Sequence, residues 1–270
     1  MVVQHNMSAL NANRQLGVTV GTLSKSTEKL SSGYRVNRAA DDAAGLSISE
    51  KMRSQIKGLN KASSNAQDGI SLVQTAEGAL NEAHSILQRM NELATQAAND
   101  TNTSVDRTAI QKEVDALASE LNRIASTTQF NTMNLLDGSF TGKSLQVGSL
   151  EGQKIGLSIA KMSGSALAVE GLDVSEFSKA GSAMTKVQSA IDKISEQRSA
   201  LGAIQNRLEH TVKNLDNVAE NTQAAESRIR DTDMAAEMVQ YSATNIIQQA
   251  GQSMLSQANS QTQGVLSLLQ

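Results

Sequence analysis

The stretch MRSQIKGLNKASSNAQDGISLVQTAEGALNEAHSILQRMNELATQA, residues 52–97, carries the strongest structural signal in the chain. Its apolar residues recur at every seventh position, in a seam of Met52, Leu59, Ala66, Val73, Leu80, Leu87 and Ala94. A companion seam contains Ala76, Ala83, Met90 and Ala97. This heptad repeat predicts one continuous helix over about residues 46–99. At about 1.5 Å per residue the helix would measure roughly 80 Å, whereas a compact globule of this chain length has a radius of gyration of about 18 Å. We therefore predict an elongated protein.

Two further segments carry apolar stripes of helical spacing. The shorter one contains Ile110, Val114, Leu117, Leu121 and Ile124. Ser104 is its predicted N-cap, and Asp106 falls in its first turn, where the helix dipole favours a negative charge. The longer one, predicted over about residues 182–230, contains Val187, Ile194, Leu201, Leu208 and Leu215. Amphipathic helices cannot bury their stripes alone, so these segments predict a mostly α protein, an antiparallel helical bundle or coiled coil.

The period changes between these two helices. Leu145 and Val147, and then Ile155, Leu157 and Ile159, alternate with polar or small residues. Glycines punctuate the same stretch. Alternation between turn residues predicts a small β-hairpin region at about residues 130–169, which is too small to be an independent sheet domain.

The composition excludes several classes of protein. The 270 residues include no Cys, no Pro and no Trp, and aromatic residues make up only 2%. Without Cys there can be no disulfide scaffold, thiolate metal site or cysteine nucleophile. The net charge of −3, with no clustered Lys or Arg, does not indicate a nucleic-acid partner. No run of 18 apolar residues exists to span a membrane, and the N-terminus does not have the pattern of a cleavable signal.

The two ends of the chain differ from its middle. Residues 238–270 contain no charged side chain, yet their apolar residues keep a helical spacing. We predict a polymerisation stripe made of Leu16, Val20, Leu23, Leu30, Val239, Ile246, Ala250 and Met254. Each half of the stripe is narrow and would bury too little surface alone to offset its ordering entropy. The ends are therefore predicted to be disordered in the monomer and to order against partners, and the lack of charge favours protein–protein assembly over membrane insertion.

No arrangement of residues indicates catalysis, a cofactor or a metal. His5, His84 and His210 are isolated and lack metal-ligand spacing. Phosphate-binding glycine loops and the nucleophile-elbow motif do not occur. Asp41 and Asp42 are adjacent carboxylates, but they precede the long helix and are interpreted as capping residues. We expect neither an enzyme nor a cofactor-binding protein.

Several segments resemble the bacterial flagellin family. The segment LSSGYRVNRAADDAAGL at residues 30–46 is similar to the N-terminal signature of that family, and QRMNELATQA at residues 88–97 is similarly characteristic. Further matches are QFN at 129–131, LLDG at 135–138 and the ending at residues 246–269. The resemblance covers nearly the whole chain. Only about 60 residues separate the second and third helices, so the chain resembles a short, core-only flagellin without the variable outer domains.

The resemblance implies an architecture and a structural function. Residues 1–45 and 231–270 would pair as a coiled coil in the inner filament core, and residues 46–230 would form a helical rod domain. The subunit would be secreted unfolded through the flagellar type III apparatus and would polymerise into the extracellular filament that drives swimming. Implied partners are further copies of the chain, an export chaperone, and the filament cap and hook-junction proteins. The alternative is a hook–filament junction protein, which shares the terminal helices.

The resemblance also implies a ligand of the innate immune receptor for flagellin, Toll-like receptor 5. The receptor-contact motif of the family matches Arg89, Leu93 and Gln96 on the long helix and Glu113 on the next one. Without the resemblance, Arg89 and Glu113 would be interpreted as solvated charges and Leu93 as an apolar residue at the edge of the core.

Overall fold

A computed structural model describes residues 6–267, apart from the side chains at 262, 263 and 265–267. His5 and the last residues of the C-terminal motif lie outside the described part. The chain forms two compact units, a terminal unit of residues up to 56 with those from 220 onward, and a central unit of residues 57–219. The elements are α1 (Met7–Ser32), α2 (Ala43–Ala97), α3 (Ser104–Thr127), β1 (Gln129–Phe130), β2 (Met133–Asn134), β3 (Lys143–Gln146), β4 (Lys154–Leu157), α4 (Gly164–Leu167), α5 (Phe177–Arg230) and α6 (Met234–Ser267).

The central unit is built on the predicted heptads. The seam residues of α2 from Leu59 to Ala94 are all buried, and so are Val187, Ile194, Leu201 and Leu208 on α5. The two helices run antiparallel, since Ser63 donates a hydrogen bond to Asp216 (2.9 Å) and Glu77 lies 3.8 Å from Arg198. Ile110, Val114 and Leu121 of α3 complete the core. The prediction of long antiparallel helices is confirmed.

Two predicted helix starts are wrong. The N-cap of α3 is Thr103 rather than Ser104, because its hydroxyl accepts from the backbone N–H of Asp106 while the Asp106 carboxylate accepts from the backbone N–H of Thr103. Helix α5 begins at Phe177, five residues before the predicted position. The extra turn packs against the core through Ala180. Alanine is too small to stand out as part of a hydrophobic stripe in the sequence.

The predicted hairpin region contains two small antiparallel sheets, β1–β2 and β3–β4, followed by the one-turn helix α4. The β3–β4 hairpin lies against α2, where Asn65 donates to the carbonyl of Gln146 (3.2 Å). A Cβ at Gly69 would overlap Leu145, so glycine lets the hairpin approach the helix closely. Side-chain amides hold the segment that follows, because Gln197 pairs with the backbone at residues 158 and 160 and Gln111 with the backbone at residues 172 and 174.

In the terminal unit, α1 packs antiparallel on α6. Helix α1 ends at Ser32 and is capped by Gly33, whose left-handed conformation (φ 75°) suits glycine. The connector that follows pairs with the end of α5 and the connector after it. The backbone N–H of Arg35 donates to the carbonyl of Arg230 (2.6 Å), and that of Thr232 donates to the carbonyl of Gly33 (3.0 Å). The Arg230 guanidinium lies 4.5 Å from the centroid of the Tyr34 ring, a cation–π contact. The two connectors therefore hold the bases of both terminal helices together.

Candidate functional site

The seam between α1 and α6 is largely made of small and polar residues. Its half-buried and buried positions recur at spacings of three and four, as in a coiled coil. On α1 they include Ala9, Ala12, Leu16, Thr19, Leu23, Ser26 and Leu30. On α6 they include Glu237, Tyr241, Thr244, Gln248, Gly251, Leu255 and Ala258. The seam buries little apolar surface for its length, so it contributes correspondingly little stability.

The opposite side of α6 carries the apolar residues. Val239 is 71% exposed, Ile246 67% and Met254 64%, and Ile247 and Ala250 are exposed beside them. We call these five residues the α6 outer face. An ordinary surface helix turns its apolar stripe toward the core of its own chain, but α6 turns its stripe outward. A contiguous exposed apolar face marks a surface that another molecule covers.

The predicted polymerisation stripe is divided between these two sides. Leu16, Leu23 and Leu30 lie half-buried in the intrachain seam, whereas Val20, Val239, Ile246, Ala250 and Met254 point outward. Sequence reasoning missed Ile247 on α6 and three exposed apolar residues of α1, Met7, Leu10 and Val18. The apolar character of these residues was visible, but they lie off the predicted seams, so periodicity alone could not group them with a surface.

The four residues matched to the receptor motif lie in the central unit. Arg89 of α2 donates to the carboxylates of Glu92 and Glu113, and the pair with Glu113 (3.0 Å) joins α2 to α3. The hydrogen bond to Glu92 is the main cause that raises the pKa of the Arg89 guanidinium, followed by the hydrogen bond and the charge of Glu113. Arg89, Gln96 and Glu113 are exposed. Leu93 is only 2% exposed and belongs to the main core.

The described residues contain no group of three or more His, Asp or Glu side chains that could hold a metal ion. No helix in the described part of the chain is long and apolar enough to cross a membrane. Asp42 caps α2, as predicted, by accepting from the backbone N–H of Gly45 (2.8 Å). Asp41 accepts instead from the backbone of Arg38 and Asn37, in the turn before the helix. The hydrogen bond from Arg38 is the main cause that lowers the pKa of the Asp41 carboxyl.

Two family models match the chain. The bacterial flagellin N-terminal helical region matches residues 3–141, and the bacterial flagellin C-terminal helical region matches residues 184–269. A flagellin of Halalkalibacterium halodurans is 55% identical, and a flagellar filament 31.3 kDa core protein of Treponema maltophilum is 49% identical, each over the full length of both chains.

Solved structures agree with the sequence matches. The crystal structure of Bacillus cereus flagellin is 33% identical with a TM-score of 0.52, over 60% of this chain and 94% of that one. A Vibrio parahaemolyticus protein described as flagellar hook-associated has a TM-score of 0.62 over 71% of this chain and 100% of that one. At 12% identity, that likeness concerns the fold alone.

Proposed function

The chain belongs to the bacterial flagellin family and is a subunit of the flagellar filament, and we propose that its copies polymerise through the outward apolar residues of the terminal helices. The observation that carries this proposal is the inverted arrangement of α6, with polar residues facing α1 and apolar residues facing solvent. Burial of an Ile or Met side chain stabilises an interface by about 1.5–3 kcal/mol. The α6 outer face holds two Ile, one Val and one Met whose burial is left to neighbouring copies.

The weakness of the intrachain seam supports a subunit whose termini fold on assembly. Isolated helices are marginal in water, and their stability in proteins comes mostly from packing of an apolar face. Since the α1–α6 seam offers mainly small and polar side chains, ordering of both helices depends on burial against other copies. This supports the prediction that both ends are disordered in the isolated subunit, which limits premature polymerisation.

We further propose that the chain is secreted unfolded through the flagellar type III apparatus and ends up in the extracellular filament. Terminal helices that share a seam of mainly small and polar side chains suit a chain that is exported without its final fold. An outward apolar face also needs cover before export, which fits binding by the flagellar export chaperone. The filament cap and the hook-junction proteins would contact the same terminal helices at the two ends of the filament.

The third proposal is that the chain binds Toll-like receptor 5 through the α2–α3 surface of the central unit. Arg89, Gln96 and Glu113 are exposed and lie on two neighbouring helices joined by the Arg89–Glu113 ion pair. Leu93 lies on the same stretch of α2 but is buried, so it would support the surface through packing. The alternative of a hook–filament junction protein is less favoured, because the relatives at 55% and 49% identity are a flagellin and a filament core protein, whereas the hook-associated structure shares the fold only.

Seeded polymerisation tests the central proposal. Purified full-length protein is added to short filament seeds, beside a truncated chain that lacks residues 231–270, and filament length is measured by electron microscopy. We expect long filaments from the full chain and none from the truncation. Circular dichroism of both proteins checks that the truncated chain keeps a folded helical unit. Failure of the full chain to extend the seeds would contradict the proposal.

A further inference from the structure

Glu237 is the last charged residue of the sequence, because residues 238–270 contain none. It is also the only charged residue of α6. Its side chain lies in the α1–α6 seam, only 14% exposed, and its carboxylate is 3.5 Å from the Nζ of Lys29. Helix α6 thus has 34 residues and a single charge, and that charge is half-buried toward α1. Such a placement calls for a specific reason.

The ion pair fits one register of the two helices. In the same register Asn6 donates to the carbonyl of Ala258 (2.8 Å), and Leu16 Cδ1 would lie 3.4 Å from a Cβ at Gly251. A slip of α6 by one heptad would place Thr244 opposite Lys29 and would leave Glu237 without its partner. Because a half-buried charge without a partner is costly, the pair opposes such a slip.

The same ion pair opposes a rotation of α6. The α6 outer face is more apolar than the seam, so packing it on Leu16, Leu23 and Leu30 of α1 would bury more apolar surface within one chain. Glu237 lies on the side of the helix opposite this face. Turning the outer face toward α1 would therefore move Glu237 away from Lys29 and into solvent, and would use up the surface needed by the next copy.

We propose that the Lys29–Glu237 ion pair selects the register and the face with which α6 packs on α1, and so reserves the α6 outer face for contact between copies. This inference rests on the proposed function, since it assigns two residues of the intrachain seam a role in leaving the α6 outer face free for assembly. A polar or charged residue at one seam position is an established way to specify register in coiled coils. Of the two sides of α6 that could pack on α1, the ion pair selects the less apolar one.

A charge swap tests the inference. The variants Lys29→Glu and Glu237→Lys each place two like charges in the seam, and the double variant restores an ion pair with reversed polarity. Lys25→Glu, an exposed lysine one turn earlier on α1, is the matched control. Each protein is added to filament seeds. We expect at least a tenfold loss of polymer yield in both single variants, recovery to within about threefold in the double variant, and wild-type yield in the control.

A cross-link reports the register directly. The sequence has no native Cys, so the pair Leu16→Cys and Gly251→Cys can be introduced cleanly into each chain. A short thiol cross-linker should join the two positions within one chain in wild-type and double-swap filaments, and the intrachain product should fall in material from either single variant. Equal polymer yield and cross-linking in all variants would overturn the inference, as would a double variant as defective as the singles. Wild-type protein that does not polymerise would instead overturn the proposed function.

Discussion

Thr244 lies in the α1–α6 seam and is only 8% exposed, whereas Ile246, two residues further along α6, is 67% exposed. The Thr244 hydroxyl donates to the carbonyl of Gln240 (2.6 Å), so its burial leaves no unsatisfied donor. Ile246, at the outward position, is not buried by the rest of its own chain. In the terminal unit the more polar side of α6 packs within the chain and the apolar side is exposed. Under the proposed function, that exposed side contacts another copy.

The close approach of the β3–β4 hairpin to α2 predicts opposite effects for two glycines of that helix. A Cβ at Gly69 would overlap Leu145 and contact Leu208 at 3.4 Å, so Gly69→Leu should lower the free energy of unfolding by about 1–3 kcal/mol through overpacking. Apart from its chain neighbours and the backbone of its own helix, none of the described residues has a heavy atom within 4 Å of a Cβ placed at Gly78. Gly78→Leu should therefore raise stability by about 0.5–1 kcal/mol through helix propensity alone.

Urea unfolding followed by circular dichroism measures both glycine variants in the full chain. Because the two substitutions introduce the same side chain into the same helix, the difference between them isolates the hairpin contact. Equal stability of the two variants would show that the hairpin does not rest on α2 at Gly69.

The receptor proposal predicts that Arg89→Ala weakens binding of the purified subunit to the receptor ectodomain by at least about tenfold. The substitution removes the guanidinium that joins α2 to α3 and leaves Glu113 without this ion pair on the exposed surface. Arg123→Ala is the control, since Arg123 is also exposed and also pairs with a carboxylate, Glu120 (2.6 Å). Surface plasmon resonance gives both dissociation constants. An Arg89 variant that binds like the Arg123 variant would refute the assignment.

The turn before α5 predicts a pH dependence of stability. The Ser175 hydroxyl, followed by Lys179 and the Ser175 backbone N–H, holds the pKa of the Asp173 carboxyl well below its usual range. Since folding favours the ionised form, the stabilisation is complete above the ordinary Asp pKa of about 3.9 and is lost as pH falls through the depressed value. Asp173→Asn should therefore lower the melting temperature at pH 7, and its difference from wild type should shrink as pH falls below about 4.

Melting curves between pH 7 and pH 2 measure this effect, with Asp68→Asn on the exposed side of α2 as the control. At pH 7 the control should change the melting temperature less than Asp173→Asn does. A constant difference between the Asp173→Asn variant and wild type across this range would contradict the role of the ionised carboxylate.

The long helices of the central unit could be predicted from the sequence because apolar residues recur in both at every seventh position. In each repeat the apolar residues lie on one side of the helix only, so that side is predicted to face the core. Leu80, Leu87 and Leu201 belong to these repeats, and all three are fully buried. Periodicity does not fix where a helix starts. Thr103 and Ser104 are both good capping residues, and only the backbone conformation distinguishes them.

The terminal helices show where the pattern is insufficient. Two sides of α6 have nearly the same helical period. One is the seam side, which includes Glu237 and Leu255, and the other is the α6 outer face, so by period alone either side could face α1. Hydrophobicity favours the second side, and the fold uses the first. Under the proposed function the reason lies in assembly, because a face that contacts the next copy cannot also pack against α1 of its own chain.

The most direct test of this account is the critical concentration for seeded polymerisation of an Ile246→Ser variant. Loss of an apolar side chain worth about 1.5–3 kcal/mol at the interface predicts a rise of at least tenfold over wild type. Gln252→Ser, an exposed polar position of the same helix, should leave the critical concentration unchanged. If Ile246→Ser polymerises at the wild-type concentration, the α6 outer face does not hold the filament together.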